Sequence, residues 1–156
     1  MIEVIRYVGM IDMTEKKLVM VFGTFDHLHP GHRYFLREAK RHGDFLIVVV
    51  ARDKTVKQLK GKYPDQKEKT RLNVVKNLEN IDEAILGNKG GDKFEVIRKI
   101  RPATICLGYD QHYFADELEK ELNRMGLESE VVRLKSYKPH KYKTSIIKGK
   151  KNGKSG

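Results

Sequence analysis

The sequence predicts an α/β domain with an open, doubly wound parallel sheet of five strands and helices on both faces. Three observations lead to this prediction. Short β-branched runs alternate along the chain with segments of helical periodicity. The longest apolar run, 45–51, shows no polar alternation, which is typical of a parallel strand buried on both faces. The 156 residues suit a single domain with its own core, and no internal repeat is present.

The elements alternate regularly from residue 17 onward. Five runs are predicted as strands: 18–22, 45–51, 83–86, 104–107 and 129–134. Four segments between them are predicted as helices: 31–41, 66–78, 93–100 and 117–125. Pro102 stops the third helix and Gly126 the fourth. A last short helix is predicted from Thr144, with Thr144 or Ser145 as its N-cap. Right-handed crossovers then give a single Rossmann-like domain.

Ligands of such sheets bind beyond the carboxyl ends of the strands. Three predicted loops reach that edge: 23–32, 52–62 and 108–113. The predicted domain spans 17–148. Residues 1–16 are predicted as an N-terminal extension, with an extra strand at 2–5 as an equal alternative. The lysine-rich segment 149–156 is predicted as a basic, disordered tail.

Net charge, the length of the apolar runs and the cysteine count limit the kinds of partner and the cellular compartment that this protein can have. The net charge of +11 favours anionic partners, which include nucleic acid, membrane surfaces and phosphorylated small molecules. The apolar runs are too short to span a membrane, and the first residues lack the pattern of a secretory signal. The one cysteine, Cys106, excludes an internal disulfide and a Cys-rich zinc site. We therefore expect a cytoplasmic protein.

Residues 23–32, Gly-Thr-Phe-Asp-His-Leu-His-Pro-Gly-His, are the most informative stretch. A strand ends there, the chain turns, and a helix begins, so backbone N–H groups and a helix dipole favour phosphate. His29 and His32 lie at the same point. Two histidines without a third ligand nearby make a poor zinc site, so a metal site is the weaker alternative. The arrangement indicates a site for a nucleoside triphosphate.

Nucleotidyl transfer needs the groups that this stretch offers. The attacking phosphate is already an anion, so the reaction requires hydrogen-bond donors that stabilise charge and not a general base. Imidazoles donate to phosphate oxygens in either protonation state. Pro30 and Gly31 start the helix and let the backbone approach closely.

The segment resembles the signature of the HIGH-motif nucleotidyltransferase superfamily, whose cytidylyltransferase-like branch carries G-T-F-D followed by H-x-G-H. The resemblance covers about 17–148 and is greatest to the archaeal FAD synthase group. The supporting segments are 50–53, 59–62, 85–87 and 107–111. The resemblance implies that AMP passes from ATP to FMN, giving FAD and pyrophosphate. It also implies Mg²⁺ or another divalent cation bound with ATP, and a possible homodimer.

The resemblance implies a role for particular positions. Thr24 and Phe25 would approach the nucleotide through the first turn, and His29 to His32 would hold the phosphates. Asp110 would contact the nucleotide, and Tyr137 would line the same pocket.

Three further positions keep two interpretations each. Lys60, in a predicted polar loop, is either a clamp for the β- and γ-phosphates or a solvated lysine. Arg71 either reaches phosphate or pairs with Glu68 on the surface of the helix. Ser145 either caps a helix that points toward the triphosphate or caps a helix without ligand contact.

Two other functions stay open at this point. One is a cytidylyltransferase acting on glycerol-3-phosphate or a similar alcohol phosphate, with pantetheine-phosphate adenylyltransferase as a more distant option. The other is a basic nucleic-acid-binding module, which the charge favours but which no RNA-binding signature supports. The archaeal FAD synthases also carry cysteines near the C-terminal end. The corresponding stretch 137–142 has none, so no thiol role is carried over.

Overall fold

A computed structural model describes residues 16–90 and 92–136. Five parallel strands form one sheet: β1 (Leu18–Gly23), β2 (Phe45–Val50), β3 (Glu83–Leu86), β4 (Thr104–Leu107) and β5 (Glu130–Arg133). The predicted strands are confirmed, with ends that differ by at most one residue. Their β-branched and aliphatic side chains suit a pleated surface covered on both sides.

The strand order is β3-β2-β1-β4-β5. The chain builds outward from β1 to β3, then crosses to the other side of β1 for β4 and β5. Val19 lies beside Leu46 on one side and Thr104 on the other. The order therefore reverses between β1 and β4, and the crevice beyond the carboxyl ends of these two strands is the expected ligand site.

Five helices connect the strands: α1 (Pro30–Lys40), α2 (Asp53–Lys60), α3 (Glu68–Lys76), α4 (Glu95–Ile100) and α5 (His112–Met125). The sequence prediction missed α2 and placed its residues in a polar loop. Its two apolar residues, Val56 and Leu59, lie at helical spacing, but the other six residues are polar and only Val56 is buried. Gly61 ends α2 in the left-handed conformation, at φ 81°. Helix α5 begins five residues earlier than predicted.

The core lies in two layers, one on each face of the sheet. Met20 and Ile47 belong to the layer covered by α4 and α5. Val21 and Val48 belong to the layer covered by α1 and α3. The two-residue period of the strands divides neighbouring side chains between the layers. The predicted doubly wound sheet with helices on both faces is confirmed.

The predicted extension (apart from Lys16), the last helix from Thr144 and the basic tail lie outside the described residues. Every helix within the described part of the chain falls short of the length and apolar character that crossing a bilayer demands.

Candidate active site

The histidine motif lies at the carboxyl end of β1, where the strand order reverses. After Gly23 the chain turns through residues 24–29 and enters α1 at Pro30. Proline suits this first helical position because its fixed φ is already helical and its missing N–H would have no partner there. The turn and the first turn of α1 therefore form one wall of the crevice between β1 and β4.

His29 and His32 cap α1 with their own rings. Nδ1 of His29 accepts the Gly31 N–H at 3.1 Å, and Nδ1 of His32 accepts the His29 N–H at 3.3 Å. The rings stack with centroids 3.7 Å apart. Because each neutral ring uses Nδ1 as an acceptor, its proton resides on Nε2. The cap thus fixes both tautomers and leaves two Nε2–H donors for a ligand.

His32 is half-buried and neutral at physiological pH. Burial, followed by the neighbouring His29, lowers the pKa of His32 from 6.5 to about 4. Asp110 and Lys60 also influence this pKa, in opposite directions, so the fold brings both side chains near the ring. His32 therefore offers an uncharged N–H donor.

Phe25 supports the histidine pair from below. Its ring is 4% exposed and meets His32 edge to face at 5.5 Å between centroids. A Cβ at position 23 would lie 2.7 Å from the Phe25 ring, so only glycine fits there. Phe25 itself adopts a positive φ of 56°. The turn is strained, and the packing around Phe25 holds it.

Asp26 fixes the turn to a distant part of the chain. Its two carboxylate oxygens accept the N–H groups of Asp65 and Gln66 at 2.8 and 3.0 Å. The Gln66 side chain in turn accepts the His27 N–H. Asp26 therefore orders the loop through partners that lie 39 and 40 residues away in the sequence.

The turn after β4 forms the opposite wall of the crevice. The Gln111 side chain accepts the Gly108 N–H at 2.7 Å and donates to the Phe22 carbonyl at 3.2 Å. It therefore joins the ends of β4 and β1. Tyr109 and Asp110 are exposed on the same turn. The sequence prediction assigns no role to Gln111, and the one signal for it is its place three residues after Gly108, the glycine that follows β4.

Arg71 is not the surface residue of a pair with Glu68. Its side chain is fully buried. The guanidinium donates to the carbonyls of Gln66, Thr24 and Ala51, each at 2.8 Å, and to Asp53 at 2.7 Å. All three nitrogens are used inside the protein, so Arg71 holds the ends of β1 and β2 and the start of α3 together. The predicted surface pair is therefore wrong, and the predicted phosphate contact stays a prediction.

Glu68 pairs with Arg52 and not with Arg71, at 3.2 Å. Glu68 and Asp53 also cap each other's helix: the Asp53 N–H donates to Glu68 at 2.8 Å, and the Glu68 N–H donates to Asp53 at 3.3 Å. These contacts fasten the beginnings of α2 and α3 to each other. No local sequence motif predicts these contacts, because the partners lie 15 residues apart in the sequence.

The other predicted site residues fall in different places. Lys60 is the last residue of α2, exposed, and not in a loop as predicted. Thr24 is half-buried at the start of the turn. Tyr137 and Ser145 lie outside the described residues. The structure therefore brings together His29, His32, Lys60 and Asp110, with Thr24 and Phe25 beneath them.

Comparison with known proteins agrees with this geometry. The cytidylyltransferase-like family model matches residues 20–150. An FAD synthase of Ferroglobus placidus is 50% identical over 77% of each chain, and one of Thermococcus sibiricus is 39% identical over 89% of this chain and 93% of its own.

Two solved structures share the fold. A lipopolysaccharide core biosynthesis protein of Thermoplasma volcanium superposes with a TM-score of 0.73 at 41% identity, covering 78% of this chain and 98% of its own. A pantoate-beta-alanine ligase of Francisella tularensis has a TM-score of 0.66 at 13% identity, over 88% of this chain and 66% of its own, which shows the fold alone. With a family model across most of the sequence and close FAD synthase relatives, the chain belongs to the cytidylyltransferase-like family and, within it, to the FAD synthases.

Proposed function

We propose that this protein transfers AMP from ATP to the phosphate of FMN, forming FAD and releasing pyrophosphate. The observation that carries the chemistry is the stacked pair of histidines, each with a free Nε2–H, at the beginning of α1. Relatives that bear the name FAD synthase supply the identity of the two substrates.

The histidines act as donors to charge that grows during the reaction. An oxygen of the FMN phosphate attacks the α-phosphorus of ATP, and the bond to the β-phosphate oxygen breaks. His29 and His32 donate to the oxygens of the five-coordinate phosphorus, and the helix dipole of α1 adds to this stabilisation. A neutral His32 suits the role because it donates without having to be protonated at physiological pH.

The remaining predicted residues complete the proposed site. Lys60 neutralises the β- and γ-phosphates, for which its exposed position near His32 is suitable. Thr24 and Phe25 approach the nucleotide through their backbone. Asp110 contacts the nucleoside from the turn after β4. Tyr137 and Ser145 stay predictions from the resemblance.

The divalent cation is proposed to arrive with ATP. In the described residues, the one group that could ligate a metal is Asp26, His27 and Asp65, with ligand atoms within 4.8 Å of one another. Both Asp26 oxygens already accept backbone N–H groups, and His27 Nε2 faces Asp65 at 3.1 Å. A nitrogen donor and an occupied carboxylate suit Mg²⁺ poorly. The residues present therefore favour Mg²⁺ held by the triphosphate and water. When bound, it would neutralise phosphate charge.

The same function implies the partners of the protein and its cellular compartment. FMN and ATP are proposed as the partners, in the cytoplasm, without nucleic acid or membrane. A homodimer is an expectation from the resemblance, and light scattering on the purified chain measures it.

A substrate matrix tests the proposed function. ATP and CTP are each combined with FMN, glycerol-3-phosphate and pantetheine phosphate, and both pyrophosphate and the product are measured. We expect pyrophosphate and a yellow product that co-migrates with FAD only from ATP with FMN. Turnover of CTP with glycerol-3-phosphate, and none of ATP with FMN, would assign the protein to the cytidylyltransferases instead.

A further inference from the structure

A cavity of about 510 Å³ lies between α2 and α3, apart from the histidine pair. Six side chains define it here: Asp53, Lys54, Tyr63, Lys67, Glu68 and Lys69. Its size is within the range of small-molecule sites. The catalytic roles proposed above use none of these side chains.

Tyr63 offers an aromatic platform to this cavity. It is 60% exposed, which is unusual for a large aromatic side chain. The Lys57 ammonium lies 5.5 Å from the centre of the ring and donates to the Gly61 carbonyl at 2.9 Å, so it covers one face in a fixed position. The other face is open for a planar ligand to stack on.

The charges of the cavity favour a ligand that carries hydrogen-bond acceptors or negative charge. All four carboxylate oxygens of Asp53 and Glu68 accept hydrogen bonds from within the protein. In the described part of the chain, Lys54, Lys67 and Lys69 form no ion pair. The acidic groups are therefore satisfied, and the lysines are available to a ligand.

The cavity is next to the histidine site. Arg71 touches Asp53 on the cavity wall at 2.7 Å and the carbonyl of Thr24, at the start of the histidine turn, at 2.8 Å. The buried Arg71 therefore connects the cavity wall to the histidine turn through the interior. Helix α2 also reaches from the cavity, at Asp53 and Lys54, to Lys60, which lies near His32.

We propose that this cavity binds the isoalloxazine ring of the acceptor, with the ring stacked on Tyr63 and its carbonyl oxygens facing the lysines. The proposal rests on the proposed function. The ring is planar and electron-poor, which suits the phenol of Tyr63, and its pyrimidine edge carries acceptors that suit ammonium donors. The ribityl chain then carries the phosphate to the histidine site.

Flavin binding to the full chain tests this assignment. The Tyr63→Ala variant is expected to weaken the binding of riboflavin and of FMN by the same factor, roughly tenfold or more. Its KM for FMN should rise while its KM for ATP stays the same. Riboflavin is the decisive probe because it carries the ring without the phosphate.

Conservative and matched variants separate stacking from folding. Tyr63→Phe should restore the affinity but lose much of the quenching of flavin emission, because phenylalanine donates an electron to the excited ring far less readily than tyrosine. The double variant Lys67→Gln, Lys69→Gln should weaken flavin binding, whereas Lys76→Gln, on the same helix but outside the cavity, should not.

The outcomes for the cavity and for the proposed function are distinct. Wild-type protein that makes FAD, with an unchanged KM for FMN in Tyr63→Ala, would overturn the cavity assignment alone. Wild-type protein that neither binds flavin nor makes FAD would overturn both.

Discussion

Two regions of the molecule meet at the carboxyl edge of the sheet and work in opposite ways. Residues 24–32 present two imidazoles at the surface, and their important contacts are local: the His29 ring caps α1, which begins at the next residue, and the His32 ring accepts the His29 N–H from within the first turn of α1. Residues 51–71 differ in that their important contacts cross between elements. They contribute a fully buried Arg71 whose four hydrogen bonds run to distant carbonyls and to Asp53.

The comparison shows how a small reactive motif is held in place. The turn 24–29 contains positive φ angles at Phe25 and His27, which are costly outside glycine. Such a turn persists only where other contacts fix it. Asp26 and Arg71 supply these contacts by joining the turn to Asp65, Gln66 and the end of β2, so the histidine turn depends on residues 51–71.

The largest effect is expected in the first region, from His32→Ala. Loss of one donor to the transition state should reduce turnover roughly 10²–10³-fold. The free energy of unfolding should fall by only about 1 kcal/mol, the scale of a lost helix cap. Pyrophosphate release and denaturant unfolding measure the two quantities. The control is His42→Ala, at the other end of α1. Near-wild-type turnover in His32→Ala would remove His32 from the mechanism.

In the second region, the substitution Arg71→Lys should act mainly on the stability of the fold. Lysine keeps the charge but cannot reach four acceptors with a planar fork, so buried carbonyls lose their donors. We expect the free energy of unfolding to fall by about 2–3 kcal/mol. Arg41→Lys, in an exposed pair with Glu38, should cost less than about 1 kcal/mol. Equal losses in the two variants would contradict the special role of Arg71.

The third effect is a pH dependence that belongs to His32, and it develops only below neutral pH. In the unfolded chain this histidine takes up a proton near pH 6.5, whereas in the folded protein it does so only near pH 4. The unfolded state therefore binds more protons between these values, and the folded state loses stability as the pH falls through them. Well above pH 6.5, His32 binds no proton in either the folded or the unfolded state, so it adds no pH dependence there.

The matched variant for this measurement is His32→Gln, which does not titrate in that range. The difference in unfolding free energy between wild type and variant should stay constant above pH 6.5. Between pH 6.5 and about pH 4, the wild type should lose stability relative to the variant as the pH falls. Parallel stability curves for the two proteins would show that the pKa of His32 is not lowered on folding.

Prediction from the sequence succeeded where the signal is local and periodic. The five strands are continuous apolar runs that alternate with helices, and burial on both faces of a parallel sheet requires that pattern. Helix α2 was missed because six of its eight residues are polar, although Val56 and Leu59 lie at helical spacing and Gly61 marks its end. The histidine motif was visible because its glycines, proline and imidazoles lie within ten consecutive residues.

The sequence by itself determined the doubly wound sheet and the place where two imidazoles meet the beginning of a helix, because strand periodicity and helix capping act over a few residues. Only the tertiary structure decided what Arg71 does, which partner Glu68 has and where Asp26 is anchored. Apart from the Gln66 carbonyl beside Arg71, their partners lie 15 to 47 residues away in the chain. A hydrogen bond between such residues depends on how the elements pack, and no local pattern encodes it.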